Sequence, residues 1–104
     1  MAVCYVSHKY GGDAYNVKVA KKITHDLQMA DLKNCYICPL LAFSHLGYKE
    51  AGYDEEMDLC LDLLSVADVL IVASEVSPGV KKEIDFAEMV GMEVVYLEEK
   101  DGIV

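Results

Sequence analysis

The stretch that decides the fold is "SVADVLIVASEVSPGVKKEIDFAEMVGMEVVYL", residues 65–97. Its run "ADVLIVAS" (67–74) is continuously apolar, which is typical of a strand buried on both faces of a parallel sheet. A helix is predicted to start after Ser77-Pro78, and its inward positions recur at helical spacing: Val80, Ile84, Ala87 and Val90 or Gly91. "MEVVYL" (92–97) predicts the next strand, so the stretch forms one strand–helix–strand unit.

The rest of the chain repeats this alternation. "AVCYV" (2–6) predicts the first strand and residues 34–38 the second. Asp13 is predicted to cap the intervening helix, and the positions expected to face inward are Asn16, Ala20, Ile23, Leu27 and Ala30. A long loop over 39–54, of the kind that often carries function, precedes a helix over roughly 53–66 that turns Met57, Cys60, Leu61 and Leu64 to one face.

The order β-α-β-α-β-α-β predicts an α/β protein with a parallel sheet. We expect one domain over residues 1–104, with a three-layer, Rossmann-like or flavodoxin-like architecture. Right-handed crossovers favour four main strands in the order 2-1-3-4. Residues 98–104 are predicted to form a tail or a partner-docking segment.

The charge balance argues against a general nucleic-acid binder. Asp plus Glu number 18 against 9 for Lys plus Arg, all of them lysine, which gives a formal net charge of −9. Nucleic-acid affinity depends largely on neutralising phosphates, and this balance opposes it. A small anionic ligand still fits, because one mononucleotide needs only a few backbone N–H groups and a helix N-terminus.

The apolar runs and the N-terminal sequence predict a cytoplasmic protein. No window of about 18 uninterrupted apolar residues is present, so no membrane span is expected. The opening "MAVCYVSHKYGG" starts a strand at once and lacks the basic segment of a signal peptide.

The four cysteines include one C-x-x-C pair, Cys35 and Cys38. A tetrahedral metal site usually needs two such pairs, or one pair with well-spaced histidines, set in turns. Here alternation along a strand sends the two thiols to opposite faces. The pattern therefore favours buried, reduced thiols over a metal site or a redox pair, and we expect the same of Cys4 and Cys60.

In an open sheet of order 2-1-3-4, ligands bind beyond the carboxyl ends of strands 1 and 3. "SHKYGGD" (7–13) and "SEVSPGVKKE" (74–83) should therefore face each other at this crevice. Gly11-Gly12 serves either the turn alone or the close approach of a ligand to the backbone, beside Ser7 and Tyr10. Neither a G-x-G-x-x-G fingerprint nor a P-loop is present, so no NAD, ATP-type or other cofactor is predicted.

Ser77-Pro78-Gly79 supports two interpretations that do not exclude each other. Serine at the N-cap and proline at the first helical position form a common helix start. The same exposed N–H groups and the helix dipole attract an anion, such as a phosphate or a carboxylate of a ligand.

Several carboxylates near the crevice are candidates for chemistry. Glu83 lies on the helix turn nearest the crevice and is either a solvated surface group or a catalytic one. Asp58 and Asp62 share one helix face, where most such pairs are simply solvated. Asp68 opens a buried strand, so a capping or turn role is expected. Two histidines in loops near the crevice are further site candidates: His8 and His45.

Taken together, these residues resemble the nucleoside 2-deoxyribosyltransferase-like superfamily, in particular a small branch that occurs in phages and Firmicutes. The resemblance covers nearly the whole chain and rests on five segments in order: "CYVSHKYGGDAYN" (4–16), "PLLAF" (39–43), "LLSVADVLIV" (63–72), "SPGVKKEIDFA" (77–87) and "GMEVV" (91–95).

The resemblance implies cleavage of the N-glycosidic bond of deoxynucleosides or their 5′-monophosphates. Glu83 matches the glutamate that attacks the anomeric carbon, and Ser77 matches a serine that holds the 5′-phosphate. A tyrosine, Tyr5 or Tyr10, would orient Glu83. The general acid would come from Asp58, Asp62 or Asp68, and the ligand site from Ser7, His8, Gly11, Gly12, Ser77, Pro78 and Gly79. A homo-oligomer is also implied.

The chain departs from this pattern in ways that leave a second hypothesis open. The helix aspartate of the monophosphate hydrolases corresponds to Cys60 here, and Ile84-Asp85 replaces the usual Leu-Gly after the nucleophile. The alternative is a non-catalytic module that senses or sequesters a nucleotide-derived ligand, with Glu83 accepting a hydrogen bond from a ribose hydroxyl.

Overall fold

The structure is a computed structural model that describes residues 1–97; the predicted tail or docking segment lies outside these residues. Its elements follow the expected alternation, with one additional short helix. In chain order they are β1 (Val3–Ser7), α1 (Ala14–Ala30), β2 (Cys35–Ile37), α2 (Pro39–Ala42), α3 (Tyr53–Ser65), β3 (Val69–Val72), α4 (Pro78–Met89) and β4 (Glu93–Tyr96).

The four strands form one parallel sheet in the order β2-β1-β3-β4, which confirms the predicted topology. Cys4 of β1 lies beside Tyr36 of β2 and Val69 of β3, and the last residue of β1, Ser7, lies beside Val72. In this register, β1 and β3 end side by side at the carboxyl end of the sheet. The loops that follow these two strands therefore meet there.

Helices cover both faces of the sheet, which gives the three-layer α/β architecture. On one face, Tyr5 and Leu70 pack against residues of α3 and α4, including Leu64 and Ile84. On the other face, Val6 and its neighbours form a second core: Ala20 and Ile23 of α1, Cys38 and Ala73. Because successive strand residues point to opposite faces, β3 has to be apolar at every position, as its sequence shows.

The loop predicted over 39–54 is partly helical. Its first four residues form α2, where Pro39 occupies the first turn and needs no N–H partner. The second strand is also shorter than predicted, since it ends at Ile37 and Cys38 becomes the residue that caps α2. The prediction thus placed the end of the strand one residue too late.

Two helix faces differ from expectation at their ends. Val80, Ile84 and Ala87 of α4 are buried as predicted, but Val90 and Gly91 are exposed. The helix stops at Met89, and Gly91 adopts a φ of 75°, so the chain turns away from the core at that point. In α1, the last predicted inward residue, Ala30, is likewise exposed.

The cysteines carry no disulfide: all four are free thiols. Cys4 and Cys38 are buried, as predicted, whereas Cys35 and Cys60 are only half-buried. Over residues 1–97, no helix combines the length and the apolar character needed to cross a membrane.

Candidate active site

A cavity of about 570 Å³ opens beyond the carboxyl ends of the two central strands, β1 and β3. One side is formed by the β1–α1 turn and α2, and the other by α3 and the start of α4. Its volume falls within the range typical of small-molecule sites. The structure thus places a ligand-sized space at the switch point of the sheet.

The start of α4 forms one corner of this cavity. The Ser77 hydroxyl oxygen accepts a hydrogen bond from the Val80 N–H at 3.3 Å, so Ser77 is the N-cap. Pro78 has no N–H, and Gly79 supplies the next one along the helix. Ser77, Pro78 and Gly79 all line the cavity. The positive end of the helix dipole therefore points at the site.

The β1–α1 turn forms the opposite corner. Gly11 and Gly12 have φ angles of 60° and 80°, a conformation that favours glycine. The Tyr48 ring packs so closely on Gly12 that a Cβ atom there would lie 2.9 Å from it. Tyr48 also meets the Tyr10 ring edge to face, at a centroid distance of 5.1 Å. The turn and the 43–52 loop are thus joined by aromatic contact across the cavity mouth.

Glu83 lies at the base of the cavity and is only 5% exposed. The Ser7 hydroxyl donates a hydrogen bond of 2.6 Å to Glu83 Oε1, and the Tyr5 hydroxyl donates to Oε2. Tyr5 and Ser7 are alternate residues of β1 and so project from the same sheet face, towards α4. Glu83 is therefore a positioned, buried carboxyl group and not the solvated one that the sequence left open.

The surroundings of Glu83 shift three pKa values. Burial raises the pKa of Glu83 above its ordinary value, and the hydrogen bonds from Ser7 and Tyr5 offset part of the rise. Burial and the Glu83 charge raise the pKa of the Tyr5 phenol, so that it remains a donor. The same two causes raise the pKa of the Cys60 thiol to about 12. Perturbed groups of this kind concentrate at functional sites.

His8 follows Ser7 directly and is 8% exposed. Its Nδ1 lies 2.8 Å from the carbonyl oxygen of Lys9. Burial lowers the pKa of His8, and the hydrogen bond to Lys9 only partly opposes this. His8 lines the cavity as a neutral imidazole at neutral pH.

Two lysines lie over aromatic rings of the cavity lining. Lys49 Nζ lies 5.3 Å from the centre of the Tyr48 ring and 5.7 Å from that of Tyr53. Lys82 Nζ lies 4.7 Å from the Tyr53 ring centre. Positive charge is thus held beside the start of α4 in a chain of strongly negative net charge.

Most of the predicted site residues meet at this cavity. The predicted residues that are part of its lining are His8, Tyr10, Gly11, Gly12, Ser77, Pro78, Gly79 and Glu83. Ser7 has a different place from the predicted one: it is fully buried, and it holds Glu83 instead of lining the cavity. Of the two tyrosines expected to orient Glu83, Tyr5 bonds it, while Tyr10 packs on Tyr48.

The predicted acids do not reach the cavity. Asp58 and Asp62 are exposed and absent from its lining, because the cavity side of α3 carries Tyr53, Glu56, Met57 and Cys60. Asp68 lies at the opposite end of the strands, just before β3, where its carboxylate accepts a 2.8 Å hydrogen bond from the Val3 N–H at the start of β1. That contact is a long-range one that joins the starts of β1 and β3, and not the local capping or turn contact that the sequence predicts for Asp68. His45 is exposed and does not line the cavity.

The main residue that sequence reasoning missed is Glu56. It lies one helical turn before Cys60, lines the cavity, and accepts a 3.1 Å hydrogen bond from the Ala51 N–H. Its spacing from Cys60 was the signal that could have found it, because residues four apart share a helix face. The aromatic residues of the 43–53 segment had no such signal, since that loop shows no periodicity.

Within the described part of the chain, no group of three or more His, Cys, Asp or Glu side chains could hold a metal ion. No protein-family model matches the chain, and no curated protein matches it.

Proposed function

We propose that this protein cleaves the N-glycosidic bond of (deoxy)nucleosides or their 5′-monophosphates, as a member of the nucleoside 2-deoxyribosyltransferase-like superfamily. The observation that carries the proposal is the Glu83 carboxyl group, buried at the base of a ligand-sized cavity and held by the hydroxyls of Tyr5 and Ser7. A carboxylate oriented in this way is suited to stabilise and then trap a developing oxocarbenium ion.

In the proposed reaction, an oxygen of ionised Glu83 forms a bond to the anomeric carbon. The bond from that carbon to the base nitrogen breaks, and its electron pair leaves with the base. The product is a glycosyl ester of Glu83, as in retaining glycosidases. Tyr5 and Ser7 fix the direction of attack, because each hydroxyl holds one carboxylate oxygen.

The start of α4 supports a 5′-phosphate as the preferred ligand group. Ser77 and the N–H of Gly79 lie at the cavity wall, at the positive end of the helix. Lys49 and Lys82 place positive charge beside the same mouth. This favours hydrolysis of nucleoside monophosphates over transfer between free nucleosides.

The leaving base needs a proton, and within residues 1–97 one carboxyl group besides Glu83 lines the cavity. Asp58 and Asp62 are exposed outside it, so Glu56 replaces them in the proposal: its carboxyl group gives a proton to the base as the base leaves, and the resulting carboxylate regains a proton from solvent. The homo-oligomer implied by the resemblance remains part of this proposal.

A second candidate function is a non-catalytic nucleotide-binding module. The specific observation in its favour is the raised pKa of Glu83, which keeps a larger fraction of this carboxyl group protonated at a given pH than in an ordinary glutamate. A protonated Glu83 would hydrogen-bond a ribose hydroxyl without attacking the sugar. The absence of Asp58 and Asp62 from the cavity points the same way.

The test is release of free base from deoxynucleosides, ribonucleosides and their 5′-monophosphates, with wild type and Glu83→Gln side by side. Gln keeps the shape of the side chain and its capacity to hydrogen-bond Tyr5 and Ser7, so the fold should persist while base release is lost. Asp58→Asn and Asp62→Asn are matched carboxylate controls that should retain turnover within about twofold. Equal base release by wild type and Glu83→Gln would refute the nucleophile. No release, with a ligand-induced thermal shift, would favour the binding module.

A further inference from the structure

His8 is the one buried imidazole in the described cavity, and its hydrogen bonding fixes which nitrogen carries the proton. A backbone carbonyl oxygen only accepts, so the 2.8 Å contact with the Lys9 carbonyl requires a proton on Nδ1. In the neutral ring Nε2 then bears a lone pair. This tautomer makes Nε2 a base.

The surroundings of His8 leave Nε2 without a hydrogen-bond partner among residues 1–97. His8 is 8% exposed and lines the cavity, yet no residue within 1–97 hydrogen-bonds its Nε2. No fully buried side-chain nitrogen or oxygen in this part of the chain lacks a partner. Nε2 therefore keeps some accessible surface, and because His8 lines the cavity we infer that water or a ligand reaches it from there.

His8 and Glu83 approach the cavity from different sides. The Ser7 side chain points to Glu83 on α4, and His8 is the first residue after β1. Since side chains alternate along a strand, we infer that the His8 ring projects to the other side of β1. On that side lie α1 and α2, with Val17 and Leu40 in the cavity wall. A glycosyl group bound to Glu83 would present its opposite face to this wall. Water must attack from that face to hydrolyse the ester with overall retention.

We propose that His8 is the general base of the second half-reaction, a role that rests on the proposed glycosidase function. Nε2 takes a proton from a water molecule while the water oxygen bonds to the anomeric carbon. The bond from that carbon to the Glu83 oxygen breaks, and its electron pair returns to the carboxylate. The imidazolium then passes its proton to solvent, and the site is restored.

Two variants of His8 separate this role from a structural one. His8→Asn keeps an N–H group at the position of Nδ1, and so keeps the hydrogen bond to the Lys9 carbonyl, but it has no base at Nε2. His8→Ala removes both. A structural role would be restored by Asn, whereas loss of the base would affect both variants equally.

The experiment follows base release from an equimolar mixture of the four deoxynucleoside 5′-monophosphates. We expect His8→Asn to release about one equivalent of base per chain and then turn over at least about a hundredfold more slowly than wild type, as loss of a general base predicts. Mass spectrometry should find the sugar phosphate on the Glu83 peptide. Azide, an anion that needs no deprotonation, should restore turnover of His8→Asn and form a glycosyl azide.

The outcomes distinguish this inference from the proposed function. If wild type releases base and Glu83→Gln does not, but His8→Asn turns over as wild type does or accumulates no adduct, the role of His8 is refuted and the nucleophile stands. If wild type releases no base, both are refuted. A readout without turnover is long-range ¹H–¹⁵N NMR of the wild-type imidazole, in which a proton on Nε2 instead of Nδ1 would overturn the inference.

Discussion

Replacing Tyr5 with Phe should raise the pKa of Glu83. Tyr5 is fully buried, and its hydroxyl donates to Glu83 Oε2, so Phe removes one of the two side-chain donors to this carboxyl group. Phe otherwise preserves the ring and its contacts in the core. The substitution therefore isolates one hydrogen bond.

The size of the effect follows from the two protonation states of Glu83. A hydrogen bond to a charged group contributes about 1.5–3 kcal/mol, and one to a neutral group about 0.5–1.5 kcal/mol. The difference, about 1–1.5 kcal/mol, is lost from the ionised state. At about 1.4 kcal/mol per unit, the pKa of Glu83 should rise by about one unit.

The same substitution should change how stability depends on pH. The pKa of folded Glu83 already exceeds its ordinary value, so the folded state holds this proton more tightly than the unfolded state does. The stability that this tighter proton binding contributes is fully present below the pKa of Glu83 in the unfolded state. It is lost as the pH rises through the pKa of Glu83 in the folded state. In Tyr5→Phe the loss should extend about one pH unit higher and be about 1–1.5 kcal/mol larger.

The assay is ¹³C NMR of the side-chain carboxyl carbon of Glu83 as a function of pH, with urea unfolding at each end of the titration. Tyr10→Phe is the matched control, because Tyr10 lines the same cavity but does not contribute to the pKa shift of Glu83. An unchanged or lowered Glu83 pKa in Tyr5→Phe would refute the reasoning. So would an equal rise in Tyr10→Phe.

Three further predictions test other parts of the site. Gly12→Ala should destabilise the protein more than Gly11→Ala, because both strain a positive φ but only the first places a Cβ 2.9 Å from the Tyr48 ring; equal midpoints in urea would contradict this. Cys60, with a thiol pKa of about 12, should be alkylated by iodoacetamide at pH 8 about a thousandfold more slowly than free cysteine, as followed by peptide mass spectrometry. Comparable rates would contradict that thiol pKa. Glu83→Gln should be more stable than wild type above the pKa of Glu83 and should lose this advantage at acid pH; urea midpoints whose difference stays constant with pH would oppose the pKa argument.

The fold could be predicted because its signals are local and repeated. The continuous apolar run of β3 and the helical spacing of Val80, Ile84 and Ala87 each follow from a short window of sequence. The errors lie at element ends. Cys38 belongs to a helix cap instead of a strand, and the choice between these conformations depends on how α2 packs against the sheet. No local pattern contains that information.

The site could be predicted only as far as topology determines it. The order 2-1-3-4 brings the loops that contain Gly12 and Gly79 together at the carboxyl ends of the central strands, however the surrounding side chains pack. Which residues of α3 line the cavity could not be predicted, because this depends on the rotation of α3 about its axis. A rotation that places Cys60 at the cavity also brings Glu56 there and turns Asp58 outward. The bond between Tyr5 and Glu83 joins residues 78 positions apart, and only the packed structure shows it.

The burial of Glu83 itself bears on the choice between the two candidate functions. A buried carboxyl group is costly to ionise, and even with two hydroxyl donors its pKa remains raised. A site that only bound a ribose hydroxyl could use Gln or Asn at this position, which accept the same hydrogen bond and have no charge to desolvate. Attack on an anomeric carbon, by contrast, needs an oxygen nucleophile that leaves again as a carboxylate, and neither amide can do this. The presence of Glu at position 83, at a cost in stability at neutral pH, therefore favours the catalytic function over the binding one.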